Sequence, residues 1–196
     1  MKRGQFIGKI HSLLNEFYFA TPDVKTRLFD IYATCFYSSS LWNLFSPSTE
    51  RLYKSFNVAI RIAWDVPRTT HCHFIEPLCS SFHPKTMLCS RYVKFHKTLT
   101  NCKKSAVRVL AKLCEANAQT VLGANFLNIA QESECNIDEL TPNLVKNAVF
   151  YRKIPEDEQW KVPFLMELLS IRSDDILVDN FTNIEFDEII NILCTS

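Results

Sequence analysis

His71, Cys72, His73, Cys79, His83, Cys89 and His96 crowd one stretch of the chain with the imidazole and thiol groups that zinc prefers. Structural zinc sites usually begin from a tight pair such as Cys-x2-Cys, which presets half of the tetrahedron. No such pair occurs here. The spacing therefore reads as small buried thiols and helix-end histidines, with no metal and no other cofactor. A cysteine nucleophile with a histidine base can be assembled on paper from eight Cys and five His, and their co-occurrence alone carries no catalytic signal. Ser173-Asp174-Asp175 offers paired carboxylates for metal-dependent phosphoryl transfer, but a serine followed by two acids is also an ordinary helix start. The three glycines, Gly4, Gly8 and Gly123, are too scattered to cradle a phosphate. The chain is not expected to be an enzyme.

Cations carry the stronger signal. The first 112 positions hold seventeen Lys and Arg against six Asp and Glu, a net of +11, while the last 84 hold five against fifteen, a net of −10. A net charge of +1 hides this opposition. One sign concentrated over half of a small protein favours a polyanionic partner, and nucleic acid is the commonest. Tyr37, Trp42, Phe45, Tyr53 and Trp64 lie in that basic half and could stack on bases or sugars, although their neighbourhood of apolar stripes reads most of them as core.

These groups must be positioned by helices. Few glycines and abundant Leu, Lys, Glu and Ala suit helices better than the turns of a sheet protein, so the expected fold is all-α, a helical bundle followed by further helices. Residues 5 to 17 place Phe6, Ile10, Leu13, Leu14 and Phe17 at helical spacing. Thr21-Pro22-Asp23 opens a second helix at about 22 to 37, with Val24, Leu28, Ile31, Tyr32 and Cys35 on its apolar stripe. Ser46-Pro47 opens a third, whose stripe is Leu52, Phe56, Ala59, Ile60 and Ala63, with Arg51, Lys54 and Arg61 opposite. Val66-Pro67 stops it, and Thr69 or Thr70 caps a short fourth holding Phe74, Ile75 and Leu78. Pro84 opens a fifth with Leu88, Tyr92, Phe95 and Leu99 inward and Arg91, Lys94 and Lys97 on its flank. A basic helix follows at Ser105 to Cys114, then weaker ones near 120 to 131, 142 to 151, 156 to 171 and 185 to 194. The expected parts are a basic bundle at 1–78, a basic helical extension at 79–115 and an acidic helical region at 116–196.

The chain has 196 residues, 47% of them apolar and 22% charged, ordinary values for a folded domain. Its N-terminus lacks an apolar secretory core and no apolar run approaches the roughly 18 residues that cross a bilayer, so no membrane partner is expected. Reduced thiols in cytoplasm or nucleus follow, and Asn180-Phe181-Thr182 is read as a chance glycosylation sequon.

The block RGQFIGKIHSLLNEFYFATPDVKTRLFDIYATCFYSSSLW, followed by LYKSFNVAIRIAWDVPRTTHCHFIEPLC, resembles the stretch after the catalytic palm in reverse transcriptases of non-long-terminal-repeat (LINE-type, jockey-like) retrotransposons. The resemblance runs from about Arg3 to Leu113. Its pieces are a first helix ending in Asn15-Glu16-Phe17, a Lys/Arg-x-x-Leu-Phe helix start, a Phe-Tyr-x-Ser-x-Leu-Trp segment from Phe36 to Trp42, a helix with Asn57 and Arg61, and the block from Trp64 to Cys72. It implies a thumb that clamps a template–primer duplex by shape and backbone, without sequence preference. By that analogy Lys9, Arg51, Lys54, Arg61, Arg68 and His71 are the candidate nucleic-acid-binding residues, with Thr70 and His71 also organising the turn after the third helix. The palm with its paired aspartates would lie before Met1, which leaves this chain a non-catalytic fragment of an RNA-directed DNA polymerase. A rival expectation is a helical protein-interaction module, docking its basic half on an acidic partner or on another copy in a salt-sensitive self-association.

Overall fold

The structure is a computed structural model and describes residues 3–72, 74–75, 83–135, 139–145, 161 and 167. Among these residues every regular element is helical and no strand occurs, so the fold is all-α as the composition predicts. The elements are α1 (Arg3–Glu16), α2 (Pro22–Leu28) with a π-helical turn (Phe29–Ala33), a 3-10 turn (Ser39–Leu41), α3 (Pro47–Ala63), α4 (Pro84–Thr100), α5 (Ser105–Glu115) and α6 (Val121–Glu132). Residues 142–145 form a further helical turn. The rest of 142–151, Leu78, the helix at 185–194 and all but Lys161 and Glu167 of that at 156–171 lie outside the described residues.

Packing divides the chain into two interleaved units, whereas the sequence suggests three consecutive parts at 1–78, 79–115 and 116–196. One unit holds residues 36–53 and 83–145, the other residues 3–35 and 54–75.

In the second unit, Phe6 and Ile10 of α1, Phe29 and Ala33 of the π turn, and Phe56, Ala59, Ile60 and Ala63 of α3 are buried. The stripe read for α3 is the one the fold buries. The stripe read for α2 is not. Val24, Ile31 and Tyr32 are 44%, 59% and 56% exposed, and Cys35 is exposed. Two physical causes turn the helix over. Thr26 is buried because its hydroxyl accepts from Trp64 Nε1 at 3.1 Å, and the switch to π geometry after Leu28 widens the turn and brings Phe29 and Ala33 inward. The helix also ends early, at Ala33 rather than near 37, where Thr34 closes it with a bond from its own N–H to the Phe29 carbonyl.

Helix α3 stops two residues before the Val66-Pro67 pair. Asp65 adopts φ 51°, its N–H donates to the Ile62 carbonyl and that of Val66 to the Arg61 carbonyl, which together form a Schellman cap. Glu134 ends α6 the same way at φ 50°, with Glu134 N–H on Gln131 and Cys135 N–H on Ala130. In a chain with three glycines, acidic side chains occupy positions that glycine would fill without steric cost.

The first unit is organised by α4, whose Leu88, Cys89, Tyr92, Val93 and His96 are buried. His83 caps it, its Nδ1 accepting from the Lys85 N–H at 3.2 Å. Gly123 of α6 lies where a Cβ would collide with the carbonyl oxygens of Cys114 and Asn117, so only glycine permits this approach. Helix α5 buries only Ala111 and leaves Val109, Leu110 and Leu113 57%, 62% and 63% exposed. Its apolar stripe faces solvent and its edge faces the unit.

Candidate nucleic-acid interface

The six residues singled out from sequence meet different fates. Lys9 is exposed, but its ammonium donates to the Tyr32 carbonyl at 3.1 Å, near the end of the π turn where helix carbonyls favour a cation. Arg61 is half-buried. Its Nε donates to the Thr70 carbonyl at 3.1 Å, its Nη2 reaches the same oxygen, and Nη2 also lies 3.6 Å from Cys72 Sγ. The guanidinium expected on a phosphate therefore fastens the turn after α3. Thr70 completes that turn, donating its hydroxyl to the Pro67 carbonyl at 2.7 Å. Arg51, Lys54, Arg68 and His71 are exposed.

Described members of the His/Cys cluster take structural roles. His83 is a cap, and His96 stacks on Phe126 with ring centroids 4.4 Å apart. Burial lowers the His96 pKa, opposed by Glu115, whose Oε2 is 3.5 Å from His96 Nε2. Burial pushes the Cys89 thiol up to about 12, the opposite of what a nucleophile needs. Among the described residues no group of His, Cys, Asp or Glu could hold a metal ion; His73 and Cys79 lie outside them.

Exposed cations are instead concentrated on α4, α5 and the turn between them. Arg91, Lys94, Lys97, Lys103, Lys104, Arg108 and Lys112 are all exposed. No carboxylate occurs in the sequence between Glu76 and Glu115. Lys85 is joined to Glu132 at 2.6 Å and lies 5.4 Å from the Phe45 ring centre, and Glu115 faces His96. In the sequence, Lys103 and Lys104 belong only to the general basic excess, and Arg108 and Lys112 to the basic helix expected at Ser105 to Cys114. Periodicity sets Arg91, Lys94 and Lys97 on the flank of α4 but does not by itself mark them as a site.

Beside Arg91 and Lys94 runs an open groove of about 380 Å³. Arg91, Lys94 and Thr98 share one face of α4, and the opposite wall is the loop that carries Tyr37, Ser38 and Ser40. The loop is held from beneath. Phe36 packs on Trp42 at 5.8 Å, Asn125 Nδ2 donates to the Trp42 carbonyl at 2.7 Å, and Asn125 Oδ1 accepts from the Leu44 N–H at 2.9 Å. A second groove of about 160 Å³ between α1 and α3 is lined largely by Ile7, Ile10, Val58 and Ile62, and its Arg3 already donates to Ser55 Oγ at 3.0 Å. Alkyl walls do not suit a phosphate backbone.

Among the described residues, no helix is long and apolar enough to cross a membrane. No family model, curated protein or solved structure matches the chain.

Proposed function

We propose that this chain is a non-catalytic fragment of a retrotransposon RNA-directed DNA polymerase that holds template–primer nucleic acid by its backbone. The observation that carries the reading is the set of seven exposed cations on α4, α5 and the turn between them, in a stretch without carboxylates. Cations spaced along a helix can follow successive phosphates and release condensed counterions, which gives affinity without sequence preference. The resemblance of residues 3 to 113 to the thumb region of such polymerases supports the same partner. Relative to the sequence expectation, the contact surface moves from α3 and its following turn to α4 and α5. Titration of the full chain with a blunt RNA–DNA hybrid at increasing salt tests this. Binding that weakens steeply with salt supports it, and no binding at low salt overturns it.

One observation favours a second reading, the helical protein-interaction module. Val109, Leu110 and Leu113 form an exposed apolar strip flanked by Arg108 and Lys112, the pattern by which a basic amphipathic helix receives an acidic partner. Light scattering separates the two readings: oligomers that disperse with salt, without hybrid binding, support the module.

A further inference from the structure

Tyr37 is 88% exposed, more than any other large apolar or aromatic side chain among the described residues. Such a ring loses apolar contact with the protein and keeps both faces available. It stands on a wall of the 380 Å³ groove, next to Ser38, which turns the chain at φ 55° and ψ 20°, a left-handed conformation few non-glycine residues adopt. Across the groove are the exposed cations Arg91 and Lys94, and Phe36 and Phe95 contribute apolar lining. The groove volume falls within the roughly 300–1,000 Å³ common for small-ligand sites.

We infer that this groove is a site for one unpaired nucleotide, its base stacked on Tyr37 and its phosphate held by Arg91 and Lys94, with the Ser38 and Ser40 hydroxyls beside it. The inference rests on the nucleic-acid reading and sharpens it, because backbone cations alone do not distinguish paired from unpaired strands. An aromatic ring in the open does: a base inside a duplex is already stacked on its neighbours, whereas an overhanging base has a free face. A phosphorylated tyrosine or serine offers the same anion and, for tyrosine, a ring. The groove favours the nucleotide because Lys97 lies further along α4 and Arg108 and Lys112 lie on α5, exposed cations for further phosphates that a single phosphorylated side chain would leave empty.

The test compares a blunt RNA–DNA hybrid with the same hybrid bearing a short single-stranded overhang that contains 2-aminopurine, using the full chain. The wild type is expected to bind the overhang about tenfold more tightly and to quench its fluorescence. Tyr37→Ala is expected to abolish both the preference and the quenching while leaving blunt-hybrid affinity unchanged, and Tyr37→Phe is expected to keep both. Tyr37 is almost wholly in solvent, so neither variant threatens the fold. Equal affinity of the wild type for the two hybrids, or a preference that survives Tyr37→Ala, overturns the nucleotide site and leaves backbone binding standing. Failure to bind either hybrid overturns both. Binding of a phosphotyrosine peptide through Arg91 and Lys94, without overhang preference, assigns the groove to a protein ligand and overturns the site as stated.

Discussion

The side chain of Asn125 closes on the backbone of Leu44, 81 positions earlier in the chain, accepting its N–H at 2.9 Å while donating to the Trp42 carbonyl one peptide away. Asn125 is fully buried, so these bonds satisfy its amide where water cannot. The clamp fixes the segment that carries the Tyr37 loop.

Truncating that side chain leaves a buried N–H and a carbonyl without their partner. Asn125→Ala is expected to cost about 2–3 kcal/mol in urea unfolding. It should also weaken overhang binding more than blunt-hybrid binding. A loss below about 0.5 kcal/mol would show that the segment holds itself.

Arg61 makes the corresponding bond to Thr70, and its loss should read as stability rather than affinity. Arg61→Ala is expected to destabilise the chain by about 2 kcal/mol, as befits a charged donor on a half-buried carbonyl. Hybrid affinity, measured well below the unfolding temperature, should stay within about twofold. A large affinity loss at unchanged stability would return Arg61 to the contact surface.

How far these features are legible from residues alone depends on their range. The α3 stripe of Leu52, Phe56, Ala59, Ile60 and Ala63 is a local pattern, and the fold buries all of it. Pro47 and Pro84 mark two helix starts for an equally local reason. The face of α2 is not local. It depends on an indole 38 positions away bonding Thr26, and on a π turn that shifts the period by which the stripe is counted. Arg61 lies opposite the apolar stripe, as its position dictates, yet no periodicity reveals that Thr70 curls back to receive it. The groove is less legible still. Tyr37 and Arg91 are far apart in sequence, and each alone reads as an ordinary surface or core residue.

Glu134 offers a stability gain. Its left-handed backbone at the end of α6 suits glycine, and among the described residues its exposed carboxylate forms no hydrogen bond or ion pair that the exchange would remove. Glu134→Gly is expected to stabilise by about 1 kcal/mol in urea unfolding. Destabilisation would mean that the freedom gained by the unfolded chain outweighs relief of the cap.

His96 gives the chain an acid-side sensitivity. Burial against Phe126 lowers its pKa below the ordinary 6.5, so the unfolded chain takes up a proton that the folded chain resists. Stability contributed by neutral His96 is present above that ordinary value and is lost as pH falls beneath it. Thermal unfolding between pH 7.5 and 5.5 is expected to show a smaller decline in Tm for His96→Phe, which keeps an aromatic ring on Phe126. Equal declines would place the proton uptake elsewhere.

The decisive measurement is the salt dependence of blunt-hybrid binding by the full chain and by Arg91→Gln/Lys94→Gln/Lys97→Gln. For the unaltered chain, log K should fall linearly with log salt, each phosphate contact contributing about one to the slope, and the triple variant should lose about three. A chain that ignores hybrid at low salt, or a variant whose slope does not change, would contradict the placement of nucleic acid on α4 and α5.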